Sequence, residues 1–211
     1  MTATLRETVA SYYNHTVEQY GPTPLGVDWS CVPTQEMRFV QLLKVCNFDA
    51  QFSLNDLGCG YGALVPYLVR RHRRHNLDYL GVDLSASMVH VARQKWKHKP
   101  GVAFEQGHRP SRMADYSVAS GIFNVKLNAT VAQWEAYIAN TLDELHATSR
   151  IGFACNFLTL LAPGSRDVPQ LYRAASAKWV THCETQFNAE VAILDAYGMR
   201  EFTLLIHPRA R

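Results

Sequence analysis

From Phe52 onward the sequence alternates short apolar runs with longer stretches of helical periodicity, and this alternation constrains the fold more than any other feature. The apolar runs predict strands near 52–57, 78–83, 102–105, 115–121 and 150–158. Helical patterns separate them near 62–75, 86–97 and 130–147. Strands that alternate with helices form parallel sheets covered on both faces, so the pattern predicts a three-layer α/β sandwich.

The C-terminal part of the chain predicts one more helix, near 168–183, and then a hairpin. In AEVAILDAYGMREFTLLIHP, two apolar segments flank Tyr197 and Gly198, which are suited to a turn. One hairpin strand must run against the others, so we expect an antiparallel strand at the sheet edge. Together with the five strands above, this gives a mostly parallel seven-stranded sheet with an antiparallel last strand.

The first 50 residues carry helical patterns and an irregular loop. Residues 3–20 have helical spacing, which GPTPLGVDWS then breaks with two Gly and two Pro. Thr34 is expected to cap a second helix that ends near Asn47. The apolar face of that helix is expected to contain Met37, Leu42 and Val45, with Phe39 or Val40. We therefore predict one compact domain, with residues 1–50 as a helical cap or acceptor lid and residues 51–211 as the sheet domain.

Composition excludes several classes of protein. The chain has 211 residues, of which 47% are hydrophobic and 18% charged, as in globular proteins. No apolar run approaches the roughly 20 residues that span a bilayer, and the N-terminus lacks a signal-peptide pattern, so we expect a cytoplasmic protein without membrane contact. The five scattered cysteines predict free thiols and no metal site.

The net charge of +3 comes from one local cluster, RRHRRH at residues 70–75. Without its four arginines the chain has 17 basic residues (21 minus 4) against 18 acidic ones. The cluster lies at the C-terminal end of a predicted helix, where cations complement the helix dipole. Contact with nucleic-acid phosphates is the alternative interpretation. The arginines are Arg70, Arg71, Arg73 and Arg74.

The segment DLGCGYG at residues 56–62 follows a predicted strand and precedes a predicted helix. Its glycines permit a tight turn and close approach of a ligand. Asp83 follows 21 residues after Gly62, at the end of the next strand, where a carboxylate can accept both ribose hydroxyls. The third glycine comes one residue too early for a dinucleotide fingerprint, and Asp56 suits an ammonium group better than a pyrophosphate. The motif therefore favours a nucleoside that carries an amino acid over NAD.

At these residues the chain resembles the class I S-adenosylmethionine (SAM)-dependent methyltransferases of the small-molecule type. DLGCGYG matches the first motif of that family, GVDLS at residues 81–85 matches its second-strand motif, and the terminal hairpin matches its reversed last strand. The resemblance covers residues 52 to about 206. It implies a Rossmann-like fold, SAM as methyl donor, S-adenosylhomocysteine (SAH) as product, and no metal.

The resemblance also implies cofactor contacts after the first two strands. Gly58 and Gly60 are expected to approach the methionyl and ribose parts of SAM, and Asp56 to hold its ammonium group. Asp83 is expected to bind the ribose hydroxyls, and Leu84 to lie against the adenine.

Further contacts are implied after the third and fourth strands. The family often places a polar side chain near the adenine amine after the third strand, and here the candidates are Gln106, which we favour, and His108. After the fourth strand, Ser120, Gly121 and Phe123 stand where the family lines the boundary between cofactor and acceptor.

The N-terminal segment looks like the helices that cover the cofactor in small-molecule methyltransferases. Its candidate acceptor-lining residues are Tyr12, Tyr13, His15, Tyr20 and Trp29. The same aromatic row also fits a core, because core helices show the same spacing. Arg38 is expected to pair with a carboxylate of the cofactor or the acceptor. An acceptor that must lose a proton needs a base, and the candidates are His15, Tyr20 and His108, each with a structural role as the alternative.

Three functions stay open at this point. The first, which we favour, is a methyltransferase acting on an O or N atom of a small-molecule acceptor, as a monomer or homodimer. The second is an RNA methyltransferase that uses the arginine cluster, and the third is a non-catalytic SAM-binding module. Residues 120–127 read SGIFNVKL rather than the [DNS]-P-P-[YF] clamp common in enzymes that methylate bases, which argues against nucleic acid.

Overall fold

The computed structural model describes residues 3–72 and 76–209, with side chains from residue 5 onward. Within these residues six α-helices are formed: α1 (Ala3–Tyr20), α2 (Val32–Leu42), α3 (Leu64–Arg71), α4 (Ala86–Trp96), α5 (Val131–Ala147) and α6 (Ser176–Phe187). Two short 3-10 turns, Pro24–Val27 and Leu43–Val45, lie before and after α2.

The described strands form a single sheet. They are β1 (Leu54–Leu57), β2 (Tyr79–Asp83), β3 (Val102–Gln106), β4 (Ala114–Ala119), β5 (Ser149–Thr159), β6 (Arg173–Ala174), β7 (Ala189–Leu194) and β8 (Glu201–Pro208). The order across the sheet is β3-β2-β1-β4-β5-β8-β7, and the two-residue β6 pairs with β5 alone. Strand β8 is antiparallel to both β5 and β7, and the other pairs are parallel. The predicted Rossmann-like sheet with a reversed last strand is confirmed.

Side chains alternate between two cores on the two faces of the sheet, which gives the predicted three layers. On β5, Phe153 and Cys155 join the core formed with α5 and α6, whereas Ala154 joins the core formed with α2, α3 and α4. This separation follows from the period of two in a strand, because successive side chains point to opposite faces. Strands β1, β2 and β4 are buried along most of their length and therefore lack the alternation of polar and apolar residues, although the buried Asn55 and Asp56 interrupt the apolar run of β1.

Helix α5 anchors one of these layers. Its N-terminus is closed by a capping box: Thr130 Oγ1 accepts a hydrogen bond from the Gln133 backbone N–H at 3.2 Å, and Gln133 Oε1 accepts one from the Thr130 N–H at 3.0 Å. Trp134 in the first turn is fully buried and its indole Nε1 donates to the carbonyl of Phe123 at 2.9 Å. The helix is thereby joined to the segment that follows β4.

The C-terminal part differs from the sequence prediction in two places. No helix begins at residue 168, because Arg173 and Ala174 pair with the end of β5 and the Tyr172 N–H donates to the Asn124 carbonyl at 2.8 Å. The helix, α6, begins at Ser176 instead. The antiparallel strand is β8, as predicted, but it lies inside the sheet, and β7 forms the edge.

The predicted start of α2 is also wrong. The helix begins at Val32, with Pro33 in its first turn, where the missing N–H of proline costs nothing. Thr34 therefore lies inside the helix, and its hydroxyl donates to the Cys31 carbonyl at 2.9 Å. Met37 is exposed, whereas Arg38 and Gln41 are buried. The spacing of the apolar residues alone does not show that polar side chains face inward here.

Several other predictions can be compared directly. Helix α3 is described to Arg71, and the predicted continuation through Arg73 and Arg74 lies outside the described residues. All five cysteines are free, as expected. Across residues 3–72 and 76–209, no helix combines the length and the apolar character that crossing a membrane requires. The same part of the chain contains no group of three or more His, Cys, Asp or Glu residues arranged to hold a metal ion.

We expect Trp134→Ala to lower the free energy of unfolding by about 3–5 kcal/mol, because it removes a large buried side chain and leaves the Phe123 carbonyl without its donor. Val131→Ala, in the same turn but half exposed, is the matched control and should change stability by less than about 0.5 kcal/mol. Urea denaturation of both variants measures the difference, and equal midpoints would contradict this view of the α5 core.

Candidate active site

The glycine-rich loop runs from the end of β1 to the start of α3 and is fixed to the neighbouring strand. The N–H groups of Gly58 and Cys59 both donate to the Val82 carbonyl, at 2.7 and 3.1 Å. Gly58 and Gly60 have φ values of 77° and 53°, in the left-handed region that other residues rarely adopt. A Cβ at Gly58 would lie 2.1 Å from Ile122 Cγ2. The loop therefore needs glycine here both for its backbone conformation and for space.

Asp83 is held in place by two backbone hydrogen bonds. Its Oδ2 accepts from the Gly60 N–H and its Oδ1 from the Ser85 N–H, each at 2.8 Å. Ser85 in turn caps α4, with its Oγ accepting from the Met88 N–H at 3.0 Å. Burial raises the pKa of Asp83, and the two backbone hydrogen bonds oppose that shift. The carboxylate is thus preorganised between the glycine-rich loop and the start of α4.

Asp56 lies one strand away and is almost completely buried. The Tyr79 hydroxyl donates to its Oδ2 at 2.6 Å. Burial raises the pKa of Asp56 to about 7; the negative charge of Asp83 adds to this shift and the Tyr79 hydrogen bond opposes it. A buried carboxyl group with a raised pKa and a second carboxylate nearby is well suited to a cationic ligand, which would stabilise the ionised form.

Both carboxylates open into one cavity that encloses about 930 Å³ of empty space, its open mouth included. One wall comes from the ends of the strands and their loops, and the other comes from the N-terminal segment. The N-terminal wall is mainly apolar and aromatic, with one amide side chain, and consists of Val9, Tyr13, Val27, Trp29, Gln35 and Phe39.

Nine of the predicted site residues line this cavity. They are Tyr13, Trp29, Asp56, Gly58, Gly60, Asp83, Leu84, His108 and Ser120. Gly121, which the sequence places beside Ser120, lines it as well. The Ser120 hydroxyl is buried and has no hydrogen-bond partner among the described protein atoms. Because Ser120 also lines the cavity, its hydroxyl is a candidate polar contact for a ligand bound there.

Three other predicted residues lie outside the cavity lining. Gln106 is exposed, and its side-chain amide donates to the Leu84 carbonyl at 3.3 Å. Arg38 is buried and bonded to Glu201 of this same chain, with Nε 2.8 Å from Oε2, so its predicted pairing with a ligand carboxylate is replaced by an internal ion pair. Phe123 is fully buried in the core and stacks on Phe157 with ring centroids 5.0 Å apart.

The remaining candidates of α1 are distributed around its surface. Tyr12 lies outside the cavity and donates to Asp28 Oδ1 at 3.2 Å. His15 and Tyr20 are exposed and do not line the cavity. Helical spacing accounts for this result, because Tyr12 and Tyr13 are successive residues that face different directions.

His108 is held by a charged neighbour. Its Nδ1 lies 3.0 Å from Glu144 Oε1, and the same oxygen accepts a hydrogen bond from Arg6 Nη2 at 3.1 Å. This contact joins α1, α5 and the loop after β3 at the margin of the cavity. It also fixes the orientation of the imidazole, as a carboxylate partner does for a functional histidine.

Among the lining residues that were not predicted from the sequence, four carry a hydroxyl or an amide group: Gln35, Tyr61, Tyr137 and Thr141. Tyr61 donates from its hydroxyl to Gln35 Oε1 at 3.0 Å, which joins the glycine-rich loop to α2. Tyr137 and Thr141 lie one turn apart on the inward face of α5. Their spacing of four residues in an apolar stripe was a usable signal for α5, whereas no local pattern marked Gln35.

Comparisons with known proteins show the family of this chain. A family model described as a methyltransferase domain matches residues 55–152. The Mycobacterium tuberculosis (strain ATCC 25618 / H37Rv) protein Rv1506c, which is named as a methyltransferase, is 42% identical over 164 residues, covering 78% of this chain and 98% of that protein. The chain belongs to the class I SAM-dependent methyltransferases.

Solved structures show the same fold. Magnesium protoporphyrin IX methyltransferase of Synechocystis PCC 6803 with bound SAH matches with a TM-score of 0.65 and 15% identity over 97% of this chain and 100% of that one. DhpI in complex with SAH matches with the same TM-score and identity over the full length of both chains. At such identities the likeness concerns the fold alone.

The residues of the site fit SAM, the cofactor of this family. SAM carries an ammonium group and a ribose diol, and the cavity offers the buried Asp56, the fixed carboxylate of Asp83 and the unpaired hydroxyl of Ser120. Gly58 and Gly60 line the cavity without side chains, which allows close approach of a ligand to the backbone.

We expect Asp83→Ala to weaken SAH binding by about 10- to 100-fold, because it removes a carboxylate acceptor of charge-assisted hydrogen bonds. Asp115→Ala is the matched control: Asp115 also accepts from a backbone N–H, that of Ser53 at 2.8 Å, but at the opposite end of the strands. Isothermal titration calorimetry compares the two variants. An unchanged affinity in Asp83→Ala, or an equal loss in Asp115→Ala, would show that Asp83 is not a cofactor ligand.

SAH binding should strengthen as the pH rises through 7, because the ionised form of Asp56, whose pKa burial raises to about 7, is the form that attracts an ammonium group. Between about pH 6 and pH 8 the affinity should rise about tenfold, with proton release on binding. Calorimetry in buffers of different ionisation enthalpy measures both quantities. The pH dependence should be lost in Asp56→Asn, and its persistence there would assign it to another group.

Proposed function

We propose that the protein transfers the methyl group of SAM to an O or N atom of a small-molecule acceptor. The observation that carries the proposal is that the cofactor loop and the aromatic N-terminal wall line one and the same cavity. Tyr13 and Trp29 lie on that wall, facing the side formed by Gly58 and Ser120. A space between two such walls favours a small acceptor, because a macromolecule can insert only a protruding group into it.

Each wall has a separate task in this proposal. The loop after β1 and Asp83 bind and orient the donor, and residues 1–50, as the acceptor lid, hold the acceptor and exclude water. When bound, SAM supplies an activated methyl group on a sulfonium, which needs in-line alignment more than it needs a protein nucleophile. Alignment and exclusion of water are therefore the main contributions of the chain.

Two side chains of the cavity bear on proton transfer. Burial raises the pKa of Tyr13 well above its ordinary value, so the phenol stays protonated at neutral pH and acts as a hydrogen-bond donor. His108, oriented by Glu144, is the cavity residue suited to accept a proton from a hydroxyl or ammonium acceptor. His15 and Tyr20, which are exposed outside the lining, are weaker candidates for this step.

The contacts of the arginine cluster support nucleic-acid binding less well than its composition suggests. Arg70 and Arg71 lie in the last turn of α3, while the first turn of that helix adjoins the cavity. Eight residues of helix separate the two ends by about 12 Å. Arg70 is paired with Glu36 on the neighbouring α2. These contacts favour a helix end stabilised by charge over an RNA-binding surface.

The acceptor class is tested with SAM that carries an isotopically labelled methyl group. The protein is incubated with the small-molecule fraction and, separately, with the RNA fraction of an extract, and each is analysed by mass spectrometry. We expect label in the small-molecule fraction, with none in a parallel reaction of Asp83→Ala. Label in the RNA fraction alone would overturn the proposal. Binding of SAM with no labelled product in either fraction would instead indicate a cofactor-binding module.

A further inference from the structure

Five residues from five separate segments form a closed ring of contacts beside the cavity. The Gly121 N–H, after β4, donates to Asn156 Oδ1 of β5 at 2.7 Å. Asn156 Nδ2 donates to Glu201 Oε2 of β8 at 3.0 Å. The Glu201 carboxylate accepts two further hydrogen bonds from Arg38 of α2, through Nε and Nη2. The Arg38 guanidinium stacks on the Trp29 ring, 3.6 Å from its centroid.

The fifth contact closes the ring, because Trp29 returns to Gly121. A Cβ at Gly121 would lie 2.1 Å from Cζ2 of Trp29, so the edge of the indole rests directly on the glycine backbone. Gly121 also has a φ of 76°. Space and backbone conformation therefore both require glycine at this point of the ring.

The ion pair between Arg38 and Glu201 is buried, and it contributes more to the geometry of the ring than to the stability of the protein. Arg38 is 5% exposed, Glu201 2% and Asn156 0%, and the last nitrogen of Arg38, Nη1, donates to the Thr34 carbonyl at 2.8 Å. The desolvation of such a pair cancels most of its attraction, so its net stabilisation is small. Its hydrogen bonds, by contrast, have defined directions, because the planar guanidinium forks onto one carboxylate.

The ring residues divide into two groups. Trp29 and Gly121 line the cavity, together with Ser120 and Ile122 on either side of Gly121. Arg38, Glu201 and Asn156 do not line it. The ion pair and the amide therefore reach the reacting molecules only through the two walls that they connect.

We infer that Arg38, Glu201 and Asn156 are positioning residues for methyl transfer. They hold Trp29 of the N-terminal wall against the Ser120–Ile122 segment, and so fix the width of the gap in which donor and acceptor meet. The location of the acceptor in this gap rests on the proposed function. The joining of the two walls does not, and it is measured below without any acceptor.

Two variants test the ring from opposite sides. Arg38→Lys keeps the charge beside Glu201 but loses the planar stack on Trp29 and the forked hydrogen bond. Asn156→Ala keeps the ion pair but removes the acceptor of the Gly121 N–H. The measurements are acrylamide quenching of Trp29 fluorescence, isolated by subtraction of Trp29→Phe spectra, and SAH affinity by calorimetry. Ser117→Ala is the control, because Ser117 is buried on the same strand β4 but bonds to Ser149 at 2.7 Å, away from the ring.

We expect each ring variant to keep its far-ultraviolet circular dichroism, to shift Trp29 emission to the red with stronger quenching, and to bind SAH about tenfold more weakly. Ser117→Ala should lower Tm without changing Trp29 quenching or SAH affinity. A ring variant with a lower Tm but with the Trp29 quenching and SAH affinity of the unmodified protein would show a merely structural role and overturn the inference. If Asn156→Ala does not fold, Arg38→Lys decides by the same two readouts. A different acceptor class in the labelling experiment would leave these readouts unaffected.

Discussion

The site depends on the pairing of two adjacent parallel strands. Because β1 and β2 are in register from Leu54 with Tyr79 to Leu57 with Val82, the loop that follows β1 meets the residue that ends β2. The Val82 carbonyl then accepts two N–H groups of the glycine-rich loop, and the Asp83 carboxylate accepts a third. These bonds satisfy backbone donors that a tight, buried turn would otherwise leave unpaired. The same register thus stabilises the loop and brings the candidate cofactor-binding residues together.

A second consequence of this pairing is that two carboxyl groups, those of Asp56 and Asp83, lie in one buried site. Asp56 and Asp83 both have raised pKa values because burial disfavours their ionised forms, and the negative charge of Asp83 raises the pKa of Asp56 further. The apoprotein carries this cost with only partial compensation from Tyr79 and backbone N–H groups. A cationic ligand would remove this cost on binding, and this gain would contribute to its affinity. Sites of this kind commonly have perturbed pKa values.

Local sequence patterns were sufficient to predict the parallel strands, the glycine-rich loop and Asp83, because each depends on residues close in the chain. The resemblance based on DLGCGYG and GVDLS was confirmed for the same reason. Long-range partners gave no such signal. Arg38 was expected to meet a ligand carboxylate, and it meets Glu201, 163 positions away. Phe123 was placed at the site by its position after β4, yet Trp134 and Phe157 hold it in the core. Strand pairing of Arg173 likewise overrode the helical pattern near residue 168.

The placement of β8 inside the sheet has a consequence for how the molecule is assembled. The strand lies between β5 and β7, so the sheet has a gap until residues 201–208 are inserted. A nascent chain can form the glycine-rich loop and Asp83 early, since these depend on neighbouring segments. The partner of Arg38 is supplied only by the last strand, so the buried arginine lacks its counter-charge until then. Because long-range pairings form slowly, we expect the Arg38–Glu201 ion pair, and with it the ring of contacts beside the cavity, to form late in folding.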